Sequence, residues 1–170
     1  MTVTLDQLLA DPVKIVLAVV LVELIVLVLV RQRIAGQVIL EWYKEFRLGA
    51  FLSDVSSALF GVLLALCLFQ YVFPREWFSL PHFLLCVVAI QMTHDLAFGA
   101  LLRHFPNKQN AMMDMFKRYV DENSWKILVV DAMIMIGCVV MLYLVIPMKK
   151  EMVWCALAFA LYLCQYLIYG

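Results

Sequence analysis

The chain has 170 residues, of which 66% are hydrophobic and 15% are charged, and its mean hydropathy is +0.95. A soluble domain has about 45–50% apolar and about 25% charged residues, so this composition excludes an ordinary water-soluble domain. The formal net charge is zero and no long basic block occurs, which argues against a nucleic-acid partner and leaves the lipid bilayer as the expected surroundings.

Five apolar runs are long enough to cross a membrane. A hydrocarbon core of about 30 Å needs about 20 helical residues. Backbone polar groups in lipid must be satisfied within the segment, which favours helices over open strands. The predicted spans are residues 13–30, 48–73, 82–102, 125–146 and 152–169. The predicted fold is therefore an all-α membrane protein, a bundle of five transmembrane helices with one or two interfacial amphipathic helices, in a single domain of residues 1–170.

The two longest connections between spans contain amphipathic segments. Residues 110–123 alternate apolar and charged side chains at helical spacing, which predicts a helix lying along the membrane interface. Residues 31–47 can hold a similar piece, with Trp42 and Tyr43 on its apolar face. Both segments can equally be plain caps of the bundle, because amphipathic surface helices are common.

The distribution of Lys and Arg predicts the orientation of the chain. Nine of the 13 basic residues lie in the first and third connections, counting Lys126 at the start of the fourth span. Because basic residues concentrate on the cytoplasmic side, we expect the N-terminus outside and the C-terminus in the cytosol.

Each of the first four spans carries one acidic residue near its middle or its cytosolic end. With a rise of 1.5 Å per residue, the four acids lie about 9–11 Å from the predicted cytosolic ends of their spans. Ionisable residues inside a span usually face a protein interior or a wet cavity and mark a functional site. Gln91 and His94 lie close to one of these acids on the third span. The candidate proton- or cation-binding residues are Glu23, Asp54, Gln91, His94, Asp95 and Asp131.

Clustered carboxyl groups at this depth must hold protons, bind a cation or pair with Arg or Lys. Carboxylate oxygens suit Mg, Ca or Mn, and an added imidazole suits Zn, Fe or Mn, so a divalent ion is the one cofactor that the pattern admits. Asp54, His94, Asp95 and Asp131 are the candidate metal ligands. Five scattered cysteines without a C-x-x-C pair argue against disulfides and a zinc knuckle.

The same residues also have purely structural interpretations. Asp54 and Asp131 can be acids near helix N-termini that the helix dipole stabilises. Polar side chains also hold transmembrane helices together without any chemistry.

Three functions are compatible with this pattern. The leading interpretation is a cation-handling membrane protein, a small transporter or channel component that binds a proton or a divalent ion. The first alternative is a structural protein of a viral or organellar membrane, with its acids paired to Arg or Lys. The second is a metal-dependent membrane enzyme acting on a lipid headgroup. The sequence lacks G-x-S-x-G, P-loop and dinucleotide motifs, which disfavours an enzyme and leaves no candidate catalytic residue. The sequence is also compatible with a homo-oligomer.

Three stretches carry a resemblance to a known group. They are residues 105–131, the stretch from Trp42 through Asp54, and the pair His94–Asp95. They resemble small multi-pass membrane proteins encoded by large DNA viruses of algae and protists, over about residues 42–141. The resemblance implies a viral or infected-cell membrane, but no activity or catalytic residue.

Overall fold

The computed structural model describes residues 3–34, 36–123 and 125–170. These residues form five long and three short α-helices and contain no β-strand, which confirms the all-α prediction. A short 3-10 turn at Arg75–Trp77 joins the fourth helix to the fifth. The helices are α1 Leu5–Leu9, α2 Pro12–Arg31, α3 Gln37–Phe46, α4 Leu48–Tyr71, α5 Leu80–His104, α6 Ala111–Asn123, α7 Lys126–Val145 and α8 Lys150–Tyr169.

Five of these helices, α2, α4, α5, α7 and α8, are long and apolar enough to cross a membrane. The chain is therefore an integral multi-pass membrane protein, as its composition predicts. The observed helix ends differ from the predicted ones by at most two residues. For example, α5 begins before residue 82 because the Ser79 hydroxyl accepts a hydrogen bond from the His82 backbone N–H and caps the helix.

Four of the five long helices form a closed ring. Helix α2 packs against α4 and α7, and α5 packs against the same two helices from the other side. Helix α8 packs on the outer side of α2. The ring consists of the four helices that carry an acidic residue inside the predicted span, so their inner faces share one interior.

The two amphipathic segments are helical and cover one end of this ring. Helix α3 contacts α2 and α4, α6 contacts α5 and α7, and α3 and α6 contact each other. Val38, Trp42 and Tyr43 form the buried face of α3, at the spacing of one side of a helix. The Asn110 side chain accepts a hydrogen bond from the Met113 backbone N–H at the start of α6. Both connections therefore add packed helices to the bundle.

Backbone geometry turns α3 sharply into α4. Arg47 is the one residue between the two helices, and its φ of 50° lies in the left-handed region that a side chain disfavours. Gly36, before α3, has a φ of 93°, which glycine adopts without steric cost. The corner at Arg47 brings α3 back over the end of α4, and so places Trp42 and Tyr43 above the interior of the ring.

Candidate functional site

The interior beneath α3 and α6 contains carboxyl groups from all four ring helices. Glu23 lies on α2, Asp54 on α4, Asp95 on α5 and Asp131 on α7. Glu23 and Asp131 each interact electrostatically with Asp54, and Asp131 also interacts with Asp95. The structure therefore brings the four acids together, and we refer to Glu23, Asp54, Asp95 and Asp131 as the acid layer. Binding of a proton or cation by these residues stays a prediction.

One half of the acid layer is bridged by the Tyr43 hydroxyl group. Its oxygen lies 2.6 Å from Asp54 Oδ2 and also forms a hydrogen bond with Glu23 Oε1. The indole Nε1 of Trp42 donates a second hydrogen bond to Asp54 Oδ2, at 3.1 Å. Glu23 is only 4% exposed. Two side chains of the covering helix α3 thus reach two acids on different spans.

The other half of the acid layer is organised around Asp95. Gln91 Nε2 donates to Asp95 Oδ1 at 2.7 Å, and His94 Nδ1 lies 3.1 Å from the same oxygen. The Gln91 bond follows from the four-residue spacing that puts both side chains on one helix face. Asp95 Oδ2 is buried and receives no N–H or hydroxyl hydrogen bond among the described residues, but the Asp95 and Asp131 carboxyl groups lie within side-chain hydrogen-bond range of each other. Two carboxyl groups in contact form a hydrogen bond only when one of them carries a proton, so this pair favours a proton held between Asp95 and Asp131.

Two tyrosines from the covering helices face the acid layer, and sequence reasoning did not include either as a site residue. Burial, followed by the nearby Glu23 and Asp54, raises the pKa of Tyr43 well above its ordinary value. Burial, followed by Asp131, Asp54 and Asp95, raises the pKa of Tyr119 to about 12. The available signal was chemical: a tyrosine on the apolar face of a covering helix brings a hydroxyl that needs a polar partner when buried.

Basic side chains do not neutralise the acid layer. Arg118 of α6 pairs with Glu41 of α3, at 2.8 Å, and Arg75 pairs with Asp6. Across residues 3–34, 36–123 and 125–170, no ion pair joins a carboxyl group of the acid layer to Lys or Arg. The structural alternative, with its acids paired to Arg or Lys, therefore receives no support from these contacts.

The geometry also gives no support to a metal centre. Within the part of the chain that the structure describes, no group of three or more His, Cys, Asp and Glu side chains is arranged to hold a metal ion. The interpretation of Asp54, His94, Asp95 and Asp131 as metal ligands stays a prediction.

An outward-facing groove reaches the edge of the acid layer. It lies between α4 and α5, has a volume of about 910 Å³, and is lined mainly by apolar side chains such as Phe60 and Leu64. His94 forms part of its wall, and the His94 side chain is 38% exposed. His94 therefore lies between the groove and Asp95 Oδ1, the oxygen that also accepts the Gln91 hydrogen bond.

Comparisons of the chain with protein-family models, with curated proteins and with solved structures found no match. The resemblance to viral membrane proteins stays a prediction.

Proposed function

We propose that this multi-pass membrane protein binds and releases protons inside the bilayer at its acid layer, and works as a small proton-coupled transporter or channel component. The observation that carries this proposal is the bridge from Glu23 through Tyr43 to Asp54. Two hydrogen bonds at one hydroxyl group between two carboxyl groups require two hydrogens, and Tyr43 supplies one.

The bridge needs one hydrogen more than the tyrosine has. The Tyr43 hydroxyl carries a single hydrogen, so it donates to one carboxyl group at a time. The second contact is a hydrogen bond only when the other carboxyl group is protonated and donates to the Tyr43 oxygen. If Glu23 and Asp54 were both ionised, the two negative charges would repel each other across the Tyr43 hydroxyl group in this buried place. The geometry therefore favours one retained proton.

Neighbouring donors favour Glu23 as the residue that holds this proton. Asp54 Oδ2 receives the Trp42 indole N–H as well as the contact from Tyr43, and two donors stabilise an anion. Among the described residues, Glu23 forms a side-chain hydrogen bond only with Tyr43, and it is almost fully buried. The chain of bonds then runs from the Glu23 carboxyl O–H to the Tyr43 oxygen, and from the Tyr43 O–H to the Asp54 carboxylate.

His94 offers protons a way into this interior. Its partly exposed ring contacts Asp95, Asp95 interacts with Asp131, and Asp131 interacts with Asp54. An imidazole ring can accept a hydrogen bond at one nitrogen and donate one at the other, which suits an entry residue. We place the covering helices α3 and α6 in the cytosol from the distribution of basic residues. The acid layer is then nearer the cytosolic face.

Proton flux into liposomes containing the purified chain tests this function. With an imposed membrane potential and a pH-sensitive dye inside, we expect flux for the native chain and its loss in Asp95→Asn. The control Asp121→Asn removes an exposed carboxyl group of α6 outside the acid layer and should leave the flux unchanged. Flux that persists in Asp95→Asn, or is absent from the native chain, would contradict the proposal.

Infrared spectroscopy of the same samples reports protonated carboxyl groups directly. We expect a carbonyl band of a buried carboxylic acid at neutral pH that disappears in Glu23→Gln and persists in Asp121→Asn. Repeating the measurement with Mg²⁺ or Zn²⁺ separates proton from metal binding, because a bound metal ion would displace the proton and remove the band in the native chain.

A further inference from the structure

A second cavity lies beside α3, where the C-terminal ends of α2 and α8 meet. Its volume is about 230 Å³. Leu27 and Val30 of α2 and Ile168 of α8 belong to its apolar wall. Its charged side chains are those of Arg31, Lys44 and Arg47, and we refer to this cavity as the basic pocket. Tyr43, Tyr169 and Gly170 also line it.

Two of the basic residues in the basic pocket, Arg31 and Arg47, contact uncharged groups. The Arg31 Nε donates to the Leu167 backbone carbonyl at 2.6 Å, and the Arg47 guanidinium lies 5.5 Å from the centre of the Tyr169 ring. Among the described residues, no ion pair joins Arg31, Lys44 or Arg47 to an acid. A carbonyl and an aromatic ring orient the two guanidinium groups but do not neutralise them. Three positive charges therefore meet at one opening.

The position of the basic pocket points to a phospholipid as its ligand. Helices α2 and α8 are membrane-spanning candidates, and the pocket lies where both end, at the depth of lipid headgroups. Its apolar wall of Leu27, Val30 and Ile168 is buried within the protein, so the basic side chains form the part that is open to a headgroup. Arg binds phosphate oxygens with two parallel hydrogen bonds, and basic pockets between spans are suited to anionic headgroups. We propose that the basic pocket binds the phosphate headgroup of an anionic phospholipid.

This site is separate from the proton-binding proposal, although Tyr43 contributes to the walls of both. Binding here uses fixed positive charge and needs no proton transfer. A failure of the flux experiment would leave it intact, and a failure of lipid binding would leave the acid layer intact.

Native mass spectrometry of the full chain, released from mixed micelles, tests the proposal. With phosphatidylglycerol and phosphatidylcholine present in equal amounts, we expect one retained phosphatidylglycerol per chain. Removal of two positive charges by Lys44→Gln with Arg47→Gln should weaken this binding by roughly 30-fold. The matched control, Arg103→Gln with Lys126→Gln, removes one Arg and one Lys from the same predicted membrane side and should retain the lipid.

Three results would overturn the proposal. They are equal retention of the two lipids by the native chain, equal loss of binding in both double variants, and thermal stabilisation by inorganic phosphate as large as that by phosphatidylglycerol. The third result would show a site for free phosphate. If the pocket variant does not fold, the comparison of the two lipids and of phosphate on the native chain still decides the matter.

Discussion

Tyr43 is the residue on which the proposed chemistry depends most. It lies on a covering helix outside the membrane-spanning candidates, yet its hydroxyl contacts acids from two different spans. A single phenol hydroxyl group thereby connects α3 to the Glu23 carboxyl group of α2 and the Asp54 carboxyl group of α4. Its removal should affect both stability and proton retention.

Tyr43→Phe should lower the free energy of unfolding by about 1–3 kcal/mol, because Asp54 loses a hydrogen-bond donor and the buried Glu23 carboxyl group loses its hydrogen-bond partner. Reversible denaturation in detergent measures this change. Tyr162→Phe is the control, since Tyr162 is exposed and bonds only to the exposed Tyr166, and it should change stability by less than about 0.5 kcal/mol. Equal effects of the two substitutions would mean that the bridge contributes nothing.

Tyr119 predicts a loss of stability at alkaline pH. Its pKa in the folded chain is about 12, against an ordinary value of 10.0. The unfolded chain therefore loses this proton first, and stability falls as the pH rises from 10 to 12, by at most about 1.4 kcal/mol per pH unit from this group. Melting temperatures across this range should fall less steeply in Tyr119→Phe than in the native chain. An equally steep fall of melting temperature with pH in both chains would contradict the raised pKa of Tyr119.

At the scale of elements, the contact between α4 and α7 depends on a small residue. A Cβ atom added at Gly61 would lie 2.9 Å from the Met135 Cε, which is shorter than a van der Waals contact between two carbon atoms. This close approach sets the distance between the helices that carry Asp54 and Asp131. The covering helices α3 and α6 contact all four ring helices and each other at the same end of the ring.

Gly61→Val should destabilise the bundle by about 1–3 kcal/mol, because a branched side chain forces α4 away from α7. Gly61→Ala should be milder, since the flexible end of Met135 can move. Gly99→Val is the matched control: nothing lies within 4 Å of a Cβ atom at Gly99, and it carries the same helix-propensity change. Melting temperatures of the three variants test the order, and equal losses at Gly61 and Gly99 would contradict it.

At the scale of the whole molecule, the five spans put the covering helices α3 and α6 at one end and the turn at Arg75–Trp77 at the other. Contact between α3 and α6 supports the prediction that the first and third connections share a membrane side. The distribution of basic residues predicts that this side faces the cytosol.

Single cysteines introduced at Asp121 and at Glu76 test this orientation, in a chain whose five native cysteines are replaced. In intact cells a membrane-impermeant maleimide should label Glu76→Cys, and should label Asp121→Cys only after the membrane is permeabilised. The reverse pattern would invert the topology and would place the acid layer near the outer face.

The sequence alone predicted the five spans, one or two amphipathic helices and a common depth for the four acids, but it did not predict the short helix α1. These properties are local or additive, because hydropathy sets span length and the fixed helical rise sets the depth of each residue. The tertiary structure alone decided which side chains meet: Tyr43 and Trp42 with Asp54, Asp131 with Asp95, and three basic residues in one pocket with Tyr169. Such contacts depend on how each helix is rotated about its axis and on how the Arg47 corner folds α3 back. Both are set by packing between helices and produce no periodic pattern in the sequence.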